Sequence, residues 1–283
     1  MGSLTDAELY RRGSGTLVAS WEAYARGAVG ASVKRLPGVA AAIFPDEPER
    51  AVYNNALLDR GLGAADRADA VDAMQAAYSA AGIASFAAWV HESDQPMRGE
   101  LERRGYIIDD STRAMGMALD DIAVPRPQID LGPASWPEYL AMDGLPPDFL
   151  RKADHAAFHV LAARLDGEMV AAALAYDFDG DTGIFNVETM EKARRRGLAT
   201  ALTAAQAYAA RSRSGQTASL QSTPMGERVY AAVGFRDLGR ILEYVPPAQK
   251  DTEDRLPRRA GYPHGHDDIH CWSSSDKNLI HSD

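Results

Sequence analysis

Residues Ile184 to Leu202 read I-F-N-V-E-T-M-E-K-A-R-R-R-G-L-A-T-A-L. An apolar, β-type run gives way near Met190 to a short basic loop. An alanine-rich helical stretch starts at once from Gly197. Lys192, Arg194, Arg195 and Arg196 gather here in a chain whose net charge is -10. Cations at a helix N-terminus oppose the macrodipole, so their placement needs a reason. A solvated charge run is one. An anion held by the arginines and by the unsatisfied N–H groups of the first helical turn is another. Gly197 and Ala199 favour the anion, because their small size lets backbone approach a ligand. The spacing excludes both a Walker loop and a Rossmann fingerprint.

The loop Arg194-Arg195-Arg196-Gly197-Leu198-Ala199 resembles the Q/R-x-x-G-x-G/A pyrophosphate loop of the GNAT superfamily of acetyl-CoA-dependent N-acetyltransferases. A second element follows in the family's order: Ser219-Leu220-Gln221-Ser222, then Gly226 to Phe235, similar to its Y-x-x-x-G-F helix end. Glu191 stands where many relatives carry proline. The resemblance covers roughly residues 155 to 246. It implies an α/β (α+β) fold of mixed sheets flanked by helices, with acetyl-CoA as cosubstrate and no metal. It also implies roles. Backbone groups of Val187 and Thr189 pair with the pantetheine arm, and an N–H near Met190 polarises the thioester carbonyl. The phosphates rest on the stretch from Arg195 to Thr200, Leu198 and Ala199 included, with Arg194 alongside. Tyr230 is the general acid, and Ser222 bonds the pantetheine or caps its own strand. Glu188 alternates with Val187 and Thr189 and so projects from one strand face, as a base or as a binder of the substrate ammonium. Glu92, Asp177, Glu227 and Glu243 are further acidic candidates, and His91, His155 and His159 candidate proton relays.

The element order of residues 1–120 parallels that of the second half. L-E-R-R-G-Y at 101–106 echoes the sequence ending at Phe235. The first half has Gly61 and Gly63 before its main helix but only Arg60 and Arg67 nearby, which reads as a degenerate copy of the same fold. The expected organisation is therefore tandem: a degenerate domain 1–120, a linker 121–150, a catalytic domain 151–246 and a polar tail 247–283. Pro125, Pro127, Pro133, Pro137, Pro146 and Pro147 mark the linker. Asp166-Gly167 between apolar runs signals a hairpin. The strand from Gly239 to Val245 is expected to close the sheet, and Asp66 to cap the helix over 66–81. Asp179-Gly180-Asp181 lacks the glutamate that a calcium loop requires. His264, His266, His270 and Cys271 in the tail could ligate zinc, but a surface tail with incidental histidines is the favoured reading.

No apolar stretch is long enough to cross a bilayer, and the polar, acidic N-terminus is no signal peptide. A single cysteine, Cys271, permits no intrachain disulfide and fits a reducing, cytoplasmic setting. With 30 basic against 40 acidic residues, nucleic acid is not an expected partner. A membrane is not expected either; a homodimer is compatible. Such a surface attracts cations. The expected acceptor is a small primary amine, with an aminoglycoside such as kasugamycin preferred, and antibiotic resistance by modification as the consequence. Peptide or protein N-acetylation, a thiol-biosynthetic amine as in the tandem relative mycothiol synthase, and a non-catalytic acyl-CoA-binding module stay open.

Overall fold

The computed structural model describes residues 4–46, 53–142 and 153–247. The chain opens on α1 (Asp6–Ala25), whose first turn is capped by Thr5: its hydroxyl accepts from the Glu8 N–H at 3.2 Å. Then come β1 (Ser32–Leu36), β2 (Val39–Ile43), β3 (Asn55–Leu58), α2 (Ala64–Ala80), β4 (Ala87–His91), α3 (Gln95–Arg103) and β5 (Ile107–Ala118). A proline-bearing passage holds the short β6 (Leu131–Pro133) and α4 (Trp136–Met142). The second half runs β7 (Phe158–Leu165), β8 (Glu168–Phe178), β9 (Asp181–Thr189), α5 (Leu198–Ser212), β10 (Thr217–Ser222), α6 (Glu227–Val233) and β11 (Arg236–Val245). Asp166 and Gly167 both adopt positive φ (52° and 84°), the conformation that a two-residue Asp-Gly hairpin requires.

Among the described residues, eleven strands join one mixed sheet in the order β1-β2-β3-β4-β11-β5-β10-β9-β8-β7-β6. The order is symmetric about its middle. The succession β3-α2-β4-α3-β5 in the first half matches β9-α5-β10-α6-β11 in the second, but the last strand of each is exchanged. β11 lies between β4 and β5, and β5 lies between β11 and β10. β11 therefore does not close an edge: it sits in the centre of the sheet. The two parallel pairs, β3/β4 and β9/β10, each join over only three residue pairs before their strands part. Because β4 and β10 run in opposite directions, the two gaps open at opposite ends of the sheet.

Strand alternation divides the core. One sheet face carries Leu57, Trp89, Ala114, Leu174, Phe185 and Ile241, covered by α1 and α4. On the other face, Ala56, Val90 and Tyr244 lie under α2 and α3, and Met115, Ile184 and Val187 under α5 and α6. Two sequence expectations change: Gly63, not Asp66, is the N-cap of α2, and β11 is central rather than the closing strand. β5 begins at Ile107, and its first half is too polar to show strand periodicity.

The exchange predicts that neither half stands alone. Fragments 1–122 and 123–283, made separately, should show no cooperative thermal transition by circular dichroism. Sharp melting of either fragment by itself would contradict this.

Candidate active site

β9 leaves β10 after Gly183, so its last six residues, Ile184 to Thr189, border an open gap. An extra residue interrupts β9: Leu174 faces Phe185, but Ala172 faces Glu188. The irregularity lies at Asn186, a non-glycine residue at φ 47°. Residues directly opposite in a ladder share a face, so Glu188 projects with Ala172 towards α1 and α4, while Val187 packs under α5. Without the extra residue the two side chains would change places. Glu188 is 8% exposed.

At the end of β9 the Met190 N–H donates to the Val170 carbonyl at 2.8 Å, on the β8 side. That group is therefore already engaged and does not serve as the expected oxyanion donor. Alternation turns the backbone of Val187 and Thr189 the other way, into the gap. The Thr189 carbonyl there accepts from Arg194 Nε at 3.3 Å. The Thr189 side-chain hydroxyl, at the end of β9, and that of Thr223, just past β10, are buried and have no hydrogen-bond partner among the described residues. Orphaned hydroxyls on both lips of a gap suit a polar chain laid along it.

The basic loop turns under this gap. Arg195 has φ 61° and Gly197 φ 74°, so the chain bends twice through the left-handed region, the kind of backbone turn that can bring successive N–H groups towards an anion. Arg195, Arg196 and Gly197 are exposed. α5 begins with no side-chain cap and no acidic residue in its first turn. The first helical bond comes from the Ala201 N–H, leaving those of Leu198, Ala199 and Thr200 for an outside acceptor. Lys192 is held apart from the loop by an ion pair with Glu168.

Across the gap, Tyr230 is 2% exposed. A β-carbon on Gly226 would lie 2.8 Å from the Tyr230 ring and 2.9 Å from Ser222 Oγ, so Gly226 is the space that lets ring and hydroxyl close together. Ser222 Oγ donates to the Thr223 carbonyl at 2.8 Å, a strand-end cap that leaves the oxygen able only to accept.

Residues 127–235 match the model of the acetyltransferase (GNAT) family. That stretch is a GNAT acetyltransferase domain. The whole fold is similar to a GCN5-related N-acetyltransferase from Kribbella flavida, at 18% identity and TM-score 0.65, over 85% of this chain and 96% of that one. It is also similar to a tandem GNAT protein from the clavulanic acid biosynthesis pathway, at 15% identity and TM-score 0.53, over 88% and 98%. A third likeness is to the glucosamine N-acetyltransferase region of a fungal multi-domain GH3 beta-N-acetylglucosaminidase, at 12% identity and TM-score 0.50, over 86% and 37%. At these identities the likeness is one of fold. No curated protein matches the chain. Among the described residues there is no cluster of metal-ligating side chains and no helix long and apolar enough to cross a membrane. The tail with His264, His266, His270 and Cys271 lies outside the described residues.

The first half of the chain carries the counterpart of each GNAT element, filled from within. Gly61 matches Gly197 in conformation (φ 75°), but its N–H donates to Asp94 Oδ2 at 2.9 Å. A β-carbon on Gly63 would lie 3.2 Å from Asp66 Oδ2, so that carboxylate reaches back over the start of α2. Arg60 bonds Ser93 and lies over the Tyr10 ring, and Arg67 bonds the Leu62 carbonyl. The position of Tyr230 is taken by Leu101, which is fully buried. Two internal carboxylates thus stand where an external phosphate would sit.

Most of the other acidic and histidine candidates have internal partners. Glu92 accepts from the Arg240 N–H, and Glu227 pairs with Arg113 and Arg240. Burial pushes the Asp177 carboxyl up, but hydrogen bonds from His159, Arg213 and Thr182 hold it well below the usual range. His91 bridges Ser93 and the Leu238 carbonyl, and His155 stacks on Trp136. Glu243 differs. Its Oε1 has no partner among the described residues, and burial, with Asp110 and Asp109 nearby, pushes its carboxyl up to about 8.

Two predictions follow from this geometry. Gly197→Asp adds a β-carbon at positive φ and a negative charge to the loop; calorimetry should show acetyl-CoA binding lost with the fold retained. For Glu243, the folded protein binds more protons than the unfolded chain between the ordinary value of 4.5 and about 8. Its contribution to stability is therefore full below that window and is lost as pH rises through it. Glu243→Gln removes the loss. Its stability relative to the parent should rise by on the order of 3–5 kcal/mol between pH 4 and pH 9 in denaturant titrations. A difference independent of pH would refute the assignment.

Proposed function

We propose that this protein transfers an acetyl group from acetyl-CoA to a primary amine of a small cationic acceptor, with an amino sugar or aminoglycoside such as kasugamycin as the preferred class. One observation carries the reading. An uncapped, arginine-ringed helix start opens beneath the gap between β9 and β10, and that gap is lined by orphaned hydroxyls and inward-turned backbone. Anionic phosphates suit the first feature and an amide-bearing arm the second.

In this reading the diphosphate bonds the N–H groups of Arg195 to Thr200, with Arg194, Arg195 and Arg196 countering its charge. The pantetheine runs between Val187 and Thr189 on one side and the end of β10 at Ser222 on the other. The thioester then lies between Glu188 and Tyr230. Attack by the neutral amine nitrogen on the carbonyl carbon forms the C–N bond, and collapse breaks the C–S bond. Glu188 accepts the proton lost by nitrogen, directly or through water, and Tyr230 donates one to the departing thiolate. The products are the amide and free coenzyme A. Binding both reactants side by side accounts for much of the acceleration in such a transfer.

The acidic surface supports a cationic acceptor. The glucosamine N-acetyltransferase region that shares the fold indicates that this scaffold accommodates an amino sugar. Incubation with acetyl-CoA and a panel of glucosamine, kasugamycin, other aminoglycosides, polyamines and short peptides tests the reading by release of free thiol. Turnover should appear on amino sugars. Silence across the panel, with acetyl-CoA still raising the melting temperature, would overturn the amino-sugar reading in favour of an acceptor outside the panel or an acyl-CoA-binding module. Tyr230→Phe should lower kcat about 10- to 100-fold with acetyl-CoA affinity kept; an unchanged kcat would remove Tyr230 as the acid.

A further inference from the structure

The bulge in β9 is tied to a helix outside the sheet. Phe185 and Asn186 are neighbours in sequence, yet both turn to the face covered by α1 and α4, and this break in alternation is the extra residue of the strand. Asn186 is half-buried, and its side-chain Nδ2–H donates to the hydroxyl oxygen of Tyr139 on α4. A non-glycine residue at φ 47° is at an energetic disadvantage, which asparagine commonly offsets by bonding nearby backbone. Here the amide N–H goes to another element instead.

α4 gives Tyr139 a fixed seat. The Ser135 N–H and hydroxyl both donate to Glu138 Oε2, at 2.8 and 2.7 Å, closing the first turn of the helix. Glu138 Oε1 accepts from Arg164 of β7 at 2.9 Å. The Trp136 ring lies 5.4 Å from that of Tyr139 and 5.6 Å from that of Phe158. Tyr139 itself is 4% exposed. On the facing strand, Ala173 stands opposite the bulge, and its carbonyl accepts from Gln206 Nε2 of α5 at 2.9 Å. β8 is thus held by α5, and the bulged side of β9 by α4.

We infer that Tyr139 is a positioning residue for acetyl transfer: its hydroxyl fixes the angle of the bulge at Asn186, and with it the place of Glu188 and of the Val187 and Thr189 backbone. The inference rests on the acetyltransferase reading above. Val187, buried under α5, opposes a slip of β9 by a full residue. The contact with Tyr139 governs instead how narrowly the bulge keeps its φ and ψ. Glu188 stands two residues beyond Asn186, so a turn there swings its carboxylate relative to the thioester, and proton transfer tolerates little displacement.

Tyr139→Phe removes the hydroxyl and keeps the ring. Asn186→Gly removes the need for the clamp, because glycine takes positive φ without strain. The two changes form a cycle with the parent. In Tyr139→Phe, amide hydrogen exchange across residues 184–190 of the ligand-free protein should quicken about 3- to 10-fold, with exchange over β4 unchanged as the sign of an intact fold. The acetyl-CoA dissociation constant by calorimetry should rise about 3- to 10-fold, and kcat on the best amine of the panel should fall about 10-fold. Exchange and affinity decide where no amine turns over. In the Asn186→Gly background the same substitution at 139 should change none of these. A Tyr139 that serves packing alone would act alike in both backgrounds, and that result overturns the inference. So does unchanged exchange, or faster exchange with unaltered affinity and kcat. A parent that binds no acetyl-CoA overturns the acetyltransferase reading and this inference with it; a parent that binds it as tightly as Tyr139→Phe overturns the inference alone.

Discussion

The reciprocal pairing of β5 and β11 is the constraint on which the architecture depends. Each strand ends one half of the chain in sequence and is hydrogen-bonded inside the other. Two sheets that would otherwise meet at exposed edges become one, so the central strand edges are paired rather than left open. The same pairing fixes where every side chain at the centre points. Ile241, Glu243 and Thr112 face α1 because the register of β11 on β5 is set from both sides at once.

The second half keeps an open helix start, whereas the first half supplies its own anions. Asp94 takes the N–H of Gly61 and Asp66 leans over the start of α2, so that half needs no ligand to satisfy its loop. α5 has neither acid nor cap, and three arginines oppose its macrodipole. Evolution tolerates such an arrangement where binding an anion recovers the cost.

Much of the functional half was legible in the sequence because its signals are local. Asp166-Gly167 forces a tight hairpin, and the change of period at Gly197 marks strand, loop and helix. The Tyr230 to Phe235 stretch places the second element. The exchange was not legible: a strand at the chain's end reads as an edge, and nothing within residues 236–245 says which partners flank it. Nor was the bulge at Asn186, which decides the face of Glu188 through one residue at positive φ. The first half of β5 was hidden because Asp109, Asp110 and Ser111 break apolar alternation. Those polar residues are exposed or half-buried, so propensity alone gives no reason to extend the strand through them.

The antiparallel relation of β4 and β10 points the two gaps away from each other. The repeated element order does not bring the two gaps to face one cleft. A molecule seated in one gap has its counterpart at the far end of the sheet, out of reach of any shared substrate. The loop of the first half is closed by its own Asp94 and Asp66, and its strands β4 and β5 flank β11 and hold the centre of the sheet in register. The two halves thus share one succession of elements and differ in whether the helix start beside each gap is left open or filled from within.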